Sequence, residues 1–524
     1  MSAQLLDQLD NADRLISAAD ADQVPAEAPT MITSAEIRGR ARTKIVATVG
    51  PASGEPEMIR ALAIAGVDVF RLNMAHGSTD DQQKNVDTIR RVSAELEQPI
   101  GILVDLAGPK FRLGDVENGR LFCETDAEFF FVEGDEPQAA NEFTCSYKPL
   151  VRELAVGDTV MLADGTVSMR VVEKLDDRVR AKVVQRGDIR SRQGINLPGV
   201  KLSAPAISMA DHQHAEWAAQ AGADFVSLSF VRKPDEVHAL RDILRSNGSE
   251  AMVISKIEKR EALDRLDEVV AASDGVMVAR GDLGVEIDVA EMPVEQKRII
   301  RTCHRHQKPV IIATQMLDSM HDSLRPKRAE ATDVANAILD GGDACMLSGE
   351  TAIGQYPLET VRMMNRIAMA TEASVADRPP QAPDAVPVGR QLHEITSAVV
   401  HGAGAMAHTL RAKLVVVASF SGRTALGLSQ QRNGTPTVGV STCDKTLRKM
   451  CLYWGVTPLK GAPACDMQGL IRYMDSWARR QGFAQQGDRI VIVGGSHLAA
   501  GSDEATQMTA GVHDIVIVHE VEGE

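Results

Sequence analysis

Apolar, β-branched runs recur along the chain from residue 44, each followed by polar residues and then a helical pattern. The runs are KIVATVG (44–50), VDVFRLN (67–73), IGILVDL (100–106), FVSLSF (225–230), MVISKIE (252–258), GVMVAR (275–280), PVIIAT (309–314) and ACMLSG (344–349). Strands alternating with helices predict a parallel α/β sheet. Eight of them predict a closed (β/α)8 barrel, the TIM barrel. Successive runs start 23 to 35 residues apart, except between the third and fourth, where the separation is 125 residues. That gap is far beyond a normal βα crossover.

The gap has a different texture. VGDTVMLADGTVSMRVVEKLDDRVRAKVVQRG shows β-type runs split by Asp164-Gly165, a hairpin signal. Residues 107–203 therefore read as a small β-barrel domain inserted in the third βα loop. Active sites of such barrels lie at the C-terminal ends of the strands, so a domain inserted there acts as a lid that excludes water. After the eighth run, VADRPPQAPDAVPVG reads as a Pro-rich linker. Beyond it come KLVVVAS (413–419), TPTVGVS (435–441), RIVIVGG (489–495) and DIVIVHEV (514–521), a separate open α/β domain. The expected division is an N-terminal extension (1–41), the catalytic barrel (42–106 and 204–378), the lid (107–203) and a C-terminal α/β regulatory domain (379–524).

Composition narrows the function. A length of 524 residues fits about three or four domains. Aromatic residues make up only 3%, too few for base-stacking platforms, and the formal net charge of −15 disfavours both nucleic acid and anionic membrane as partners. An anionic substrate would then need a local basic pocket. Seven scattered cysteines without a C-x-x-C pair fit a reducing, cytoplasmic compartment. No apolar run is long enough to suggest a membrane span. MSAQLLDQLDNADRLISAADADQ is acidic, reads as a short amphipathic helix, and lacks the layout of a signal peptide. His212 and His214, close together after an Asp, lack partners at metal-ligand spacing and read as helix-start residues.

Polar residues gather where the barrel strands end. Arg71 and Asn73 end the second run, Asp105 the third, Ser229 the fourth, Lys256 and Glu258 the fifth, and Thr314 the seventh. Arg280 and Asp282 follow the sixth, and Ser348 and Glu350 the eighth. Taken singly, a Lys at a strand end snorkels to solvent and an acid is solvated or paired with Arg. Together they converge on one rim. Glu258 and Asp282 are hard oxygen ligands with the chemistry for Mg2+ or Mn2+. Lys256 and Arg71 can hold a phosphoryl group from other sides, which is what phosphoryl transfer requires.

VISKIEKREAL, VMVARGDLGVEI, PVIIATQMLDSM, RPKRAEATDVANAILDGGDACMLSGETAIGQYP and RTKIVATVGPAS together closely resemble pyruvate kinase, over most of the chain from about residue 42. The resemblance implies transfer of the phosphoryl group of phosphoenolpyruvate to ADP, giving pyruvate and ATP. It implies Lys256 on the moving phosphoryl group, Glu258 and Asp282 on the divalent metal, and Arg71 and Ser229 on the substrate phosphate. It places the substrate carboxylate on backbone N–H groups of Gly281 and Asp282, with Thr314 lining the carboxylate and enolate pocket. Asn73, His76 and Arg112 would face the nucleotide phosphates. A homotetramer is the family's common arrangement. Two rivals stand beside this reading: an enolate-forming, Mg2+-dependent barrel lyase, and a catalytically weak sensor of sugar phosphates. Lys256 and the inserted lid speak against the first, the intact acids with Lys256 and Arg71 against the second.

The chain departs from the family pattern in two places. Where much of the family reads RLNFSHG and DTKGPEIR, this chain has RLNMAHG and DLAGPKFR. Ala75 stands for a serine, Leu106 for a threonine and Lys110 for a glutamate, so two oxygen ligands of the usual potassium ion are gone. Lys110 supplies a tethered ammonium instead, and the expectation is an enzyme that needs no K+. The lid has Gln193 in place of a lysine and Ser203 in place of an acid. In the tail, ASFSGRTA places Ser419, Ser421, Gly422, Arg423 and Thr424 at a helix start. This is an anion site by its donors, and by resemblance the site of a sugar-phosphate or nucleotide effector. VGGSHLAAG (493–501) reads as packing or effector-lid structure rather than a nucleotide fingerprint.

Overall fold

A computed structural model describes residues 39–163, 165–375, 392–495 and 514–523. The N-terminal helical pattern, Asp164, nearly all of the Pro-rich linker and most of VGGSHLAAG lie outside the described residues. The predicted strand runs form Lys44–Thr48, Val67–Asn73, Gly101–Asp105, Phe225–Leu228, Met252–Ile257, Gly275–Ala279, Val310–Ala313 and Ala344–Leu347. They close into a parallel barrel in which the first strand pairs with both the second and the eighth. The strands are continuous apolar runs because both faces are covered. Their outward side chains, among them Ile45, Phe70, Ile102, Val253 and Val278, pack into one core with residues of the surrounding helices such as Ile59, Ile89, Leu240 and Ile299.

The inward face explains the site. Strand side chains alternate, so every second residue enters the barrel. Val46, Val69, Leu103, Phe225, Ile254, Met277 and Ile311 fill the lower layers. Two residues further along the first five strands, the same face carries Thr48, Arg71, Asp105, Ser227 and Lys256. An apolar plug thus gives way to a polar layer at the strand ends.

The lid rises from the end of the third strand. A six-stranded mixed sheet and a two-stranded ribbon wrap a common core that includes Phe131, Phe143, Met169 and Ile189. The expected hairpin joins Thr159–Leu162 to Val167–Lys174, antiparallel, with Leu162 opposite Val167. Gly165 at its turn has φ 85°, and a Cβ there would stand 3.7 Å from Val285 of the barrel's sixth loop. The turn of this lid hairpin therefore lies close to the barrel's sixth loop.

The C-terminal sheet has five strands in the order Val456–Leu459, Thr437–Val440, Leu414–Ala418, Arg489–Gly495 and Asp514–Glu520, the last antiparallel. Val456–Leu459 was not expected from the sequence. It is four residues long and carries Pro458, which an edge strand tolerates because its N–H side need not pair. This domain seals the bottom of the barrel: Val415, Leu447 and Met450 continue the core begun by Val69 and Phe225. Arg448 Nε meets Asp224 Oδ1 at 2.7 Å, and Arg432 Nη2 meets Asp343 Oδ1 at 3.0 Å, tying the two domains by buried carboxylates.

Candidate active site at the barrel rim

The polar layer is one connected network running around the first five strands. Arg71 donates from Nη1 to Thr48 Oγ1 at 3.0 Å, and from Nε and Nη2 to Asp105 Oδ2 at 2.8 and 2.5 Å. The Ser227 hydroxyl donates to Asp105 Oδ1 at 2.5 Å, and Lys256 Nζ lies 3.5 Å from the same oxygen. Lys256 also donates to Ser229 Oγ at 2.7 Å and stands 2.8 Å from Glu258 Oε1. Ser229 in turn donates to Leu106 O at 2.7 Å.

Electrostatics separate the two acids. Burial works to raise the Asp105 carboxyl, but Lys256 and Arg71, with the Ser227 and Arg71 hydrogen bonds, outweigh it and hold it below the usual carboxylate range. Burial also pushes Glu258 up; Lys256 opposes this, Asp282 adds to it, and the net direction is up. Lys256 is pulled down by burial, yet Asp105 and Glu258 together raise it well above an ordinary lysine. Asp105 thus draws on two cations, Lys256 and Arg71, whereas Glu258 draws on Lys256 against the opposing charge of Asp282.

Hydrogen bonding says the same. Glu258 Oε2 accepts from the Phe230 backbone N–H at 2.6 Å, whereas among the described residues the buried Oε1 has no aligned donor, its contact with Lys256 being close but poorly directed. An orphaned buried carboxylate oxygen beside a second acid fits a divalent cation. Glu258 and Asp282 are the residues that would hold it.

The sixth and seventh loops complete the rim. The short helix Arg280–Glu286 starts directly at the end of the sixth strand. The Gly281 N–H donates to Thr314 Oγ1 at 2.8 Å, so one of the expected carboxylate donors is engaged by a neighbour. Thr314 lies directly beyond the seventh strand.

The remaining expected residues are placed less centrally. Asn73 Oδ1 accepts from Ala75 N at 3.1 Å, and His76 is exposed in the following turn. Arg112 is exposed at the lid hinge, where Nη1 donates to Arg192 O at 3.2 Å. Lys110 is exposed at the same hinge and lines a small cavity with Asp282, Phe230 and Lys259. Among the described residues its ammonium makes no ion pair. The departures in the lid make lid-internal contacts. Gln193 Oε1 accepts from Arg190 N at 2.7 Å, and Ser203 bonds Glu153 and Tyr147.

In the C-terminal domain, Gly422 caps the helix Arg423–Gln430 in left-handed geometry, φ 84°. Its N–H donates to Ser419 Oγ at 3.0 Å, while Arg423 Nε reaches Ser421 Oγ at 3.3 Å and Thr424 is buried.

Sequence reasoning found Asp105 at the rim without its ion pairs to Arg71 and Lys256, and it missed Thr48 and Ser227. The signal for all three was the period of two, which puts them on the inward face with Arg71 and Lys256.

Residues 40–361 match the family "Pyruvate kinase, barrel domain" and residues 397–508 match "Pyruvate kinase, alpha/beta domain". Pyruvate kinase of Agrobacterium vitis is 41% identical over 475 residues, spanning 90% of this chain and 99% of that relative. Pyruvate kinase of Sporosarcina psychrophila is 38% identical over 462 residues, spanning 87% of this chain and 78% of the relative. A crystal structure of a pyruvate kinase from Cryptosporidium parvum superposes with TM-score 0.82 at 30% identity, covering 93% of this chain and 97% of that one.

Proposed function

The chain belongs to the pyruvate kinase family, and on that premise we propose that its rim transfers the phosphoryl group of phosphoenolpyruvate to ADP. The observation that carries the assignment of residues is the gathering of Lys256, Glu258, Asp105, Arg71 and Ser229 in one buried network.

In this reading Lys256 grips the moving phosphoryl group, already held at its place by Asp105, Ser229 and Glu258. Arg71 uses three of its five N–H groups on Thr48 and Asp105, which fixes the guanidinium plane and leaves donors for the phosphate. Ser229 offers its hydroxyl to the same phosphate. Gly281 and Asp282 take the carboxylate by backbone N–H, and Thr314 lines the enolate pocket. Asn73, His76 and Arg112 face the nucleotide phosphates as the lid closes. A divalent cation, Mg2+ or Mn2+, held by Glu258 and Asp282 would supply positive charge against the phosphate oxygens.

The finer reading also includes independence from K+. The side chains of Ala75 and Leu106 offer no ligand oxygen, and Lys110 supplies the cation. It includes an anionic effector, a phosphorylated sugar or a nucleotide, at the loop of Ser419, Ser421, Gly422, Arg423 and Thr424, together with a homotetramer and a cytoplasmic location. The domain division at 42–106 with 204–378, 107–203 and 379–524 belongs to it as well. An enolate-forming lyase has no use for a phosphoryl clamp and a nucleotide lid, and a mere sensor none for the buried Lys256–Glu258 pair, so neither is favoured. The test is pyruvate formation from phosphoenolpyruvate and ADP with Mg2+: turnover that Lys256→Met abolishes supports the assignment, and turnover that survives the substitution sinks it.

A further inference from the structure

The seventh barrel strand stops at Ala313, and the next two residues both turn left-handed: Thr314 has φ 67° and Gln315 φ 55°. That region is sparsely used by non-glycine residues and is an outlier for a β-branched one. Such a turn at a strand end takes the carbonyls out of the sheet ladder, so each needs another donor.

Arg280 provides them. Its Nη2 donates to Thr314 O at 2.6 Å and to Gln315 O at 3.2 Å, and its Nε lies 3.2 Å from Thr314 O and 3.4 Å from Ala313 O. Nη1 donates to Asp333 Oδ2 at 2.7 Å, which locks the guanidinium from the helix Arg328–Leu339. The adjacent residue, Gly281, donates its N–H to Thr314 Oγ1 at 2.8 Å. One dipeptide of the sixth loop thus grips both the main chain and the side chain of Thr314. Arg280 itself is buried, 8% exposed, and its charge is spent on these groups rather than on the mouth of the site.

We infer that Arg280 is a positioning residue for the reaction. It holds the Thr314–Gln315 turn in its left-handed form and thereby fixes where the Thr314 hydroxyl stands. Because Thr is stiff at χ1, the direction of its hydroxyl follows the backbone. A planar fork is needed to bridge successive carbonyls, and a lysine ammonium does not reproduce it. The inference rests on the reading of Thr314 as part of the phosphoenolpyruvate pocket.

The experiment is a double-mutant cycle on the full-length protein, with phosphoenolpyruvate, ADP and Mg2+. Arg280→Lys should lower kcat by roughly tenfold to a hundredfold, the scale of a misplacement near 1 Å, with the KM for phosphoenolpyruvate changed less than about threefold. Asp333→Asn, which leaves Arg280 in place but unlocks it, should move kcat in the same direction by less, and it carries the cycle if Arg280→Lys does not fold. In a Thr314→Ala background either substitution should cost less than about threefold, because the group it positions is gone. Equal losses with and without Thr314 would overturn the inference and leave Arg280 a residue of stability alone. Absence of turnover in the unsubstituted protein would overturn the pocket reading itself, and this inference with it.

Discussion

Lys256 Nζ lies 2.8 Å from Glu258 Oε1, with the Glu258 side chain only 1% and the Lys256 side chain 13% exposed. Two residues apart at a strand end, they face the same way, and neither is solvated in the manner of a surface pair. Asp105 stands on the other side of the lysine, its Oδ1 3.5 Å from Nζ, so the ammonium is shared between two buried acids.

Lys256→Met should abolish phosphoryl transfer. The barrel should still form, because the apolar layers beneath are untouched. Stability should fall by about 3 kcal/mol or more, the scale for removing one partner of a buried ion pair. Turnover together with chemical denaturation checks both halves, and retained activity would contradict the role given to this side chain.

Removal of the divalent cation should stop turnover, and Mg2+ or Mn2+ should restore it. Glu258→Gln and Asp282→Asn should each weaken Mn2+ binding by tenfold or more, a loss of at least about 1.4 kcal/mol. Titration of Mn2+ by its electron paramagnetic resonance signal reads this without reference to activity. Unchanged binding in both variants would place the metal elsewhere.

Turnover in tetramethylammonium buffer should match turnover in potassium buffer. Lys110→Ala should lose activity that K+ does not restore, since Ala75 and Leu106 offer no ligand oxygen in their side chains. Strict activation of the unsubstituted protein by K+ would refute the replacement.

The eight barrel strands were legible because a parallel barrel buries both strand faces, leaving unbroken apolar runs such as GILVD and LVVVA elsewhere in the same style. The edge strand Val456–Leu459 was not, since four residues with a proline carry no such signal. Lys256, Glu258 and Arg71 stood out by charge at apolar strand ends. Thr48 and Ser227 did not, because a small hydroxyl inside an apolar run looks like ordinary packing until its neighbours across the barrel are known. The role of Arg280 depends on two positive φ angles in another loop, which no local pattern around Arg280 announces. Lys110 was legible as a departure, but its place at an exposed hinge depends on how the lid sits.

Acid should expose the ion pairs of Asp105. Its carboxyl is held below the usual range against the push of burial, chiefly by Lys256 and Arg71. A group whose pKa is lower folded than unfolded contributes stability that is fully present above the unfolded value, near about 3.9, and lost as pH falls through the lower folded value. Denaturation midpoints measured from pH 6 downward should therefore fall more steeply below about pH 4 in the unsubstituted protein than in Asp105→Asn. Parallel slopes would mean that folding does not lower the Asp105 pKa.

The loop at 419–424 should respond to phosphorylated ligands independently of the rim. The N–H groups at the start of the helix Arg423–Gln430, the Ser421 hydroxyl and the Arg423 guanidinium present donors together, an arrangement that favours a phosphate by charge and by hydrogen bonding. Across a panel of phosphorylated sugars and nucleotides, at least one should shift the KM for phosphoenolpyruvate. Arg423→Ala should weaken that response at least tenfold while leaving turnover without effector unchanged, since Arg423 belongs to a different domain from the barrel rim. Because linkage is reciprocal, phosphoenolpyruvate should tighten equilibrium binding of an activating effector by the factor by which that effector tightens binding of phosphoenolpyruvate. A panel with no effect on KM, or an effect that Arg423→Ala does not touch, would remove this loop from the regulation of the enzyme.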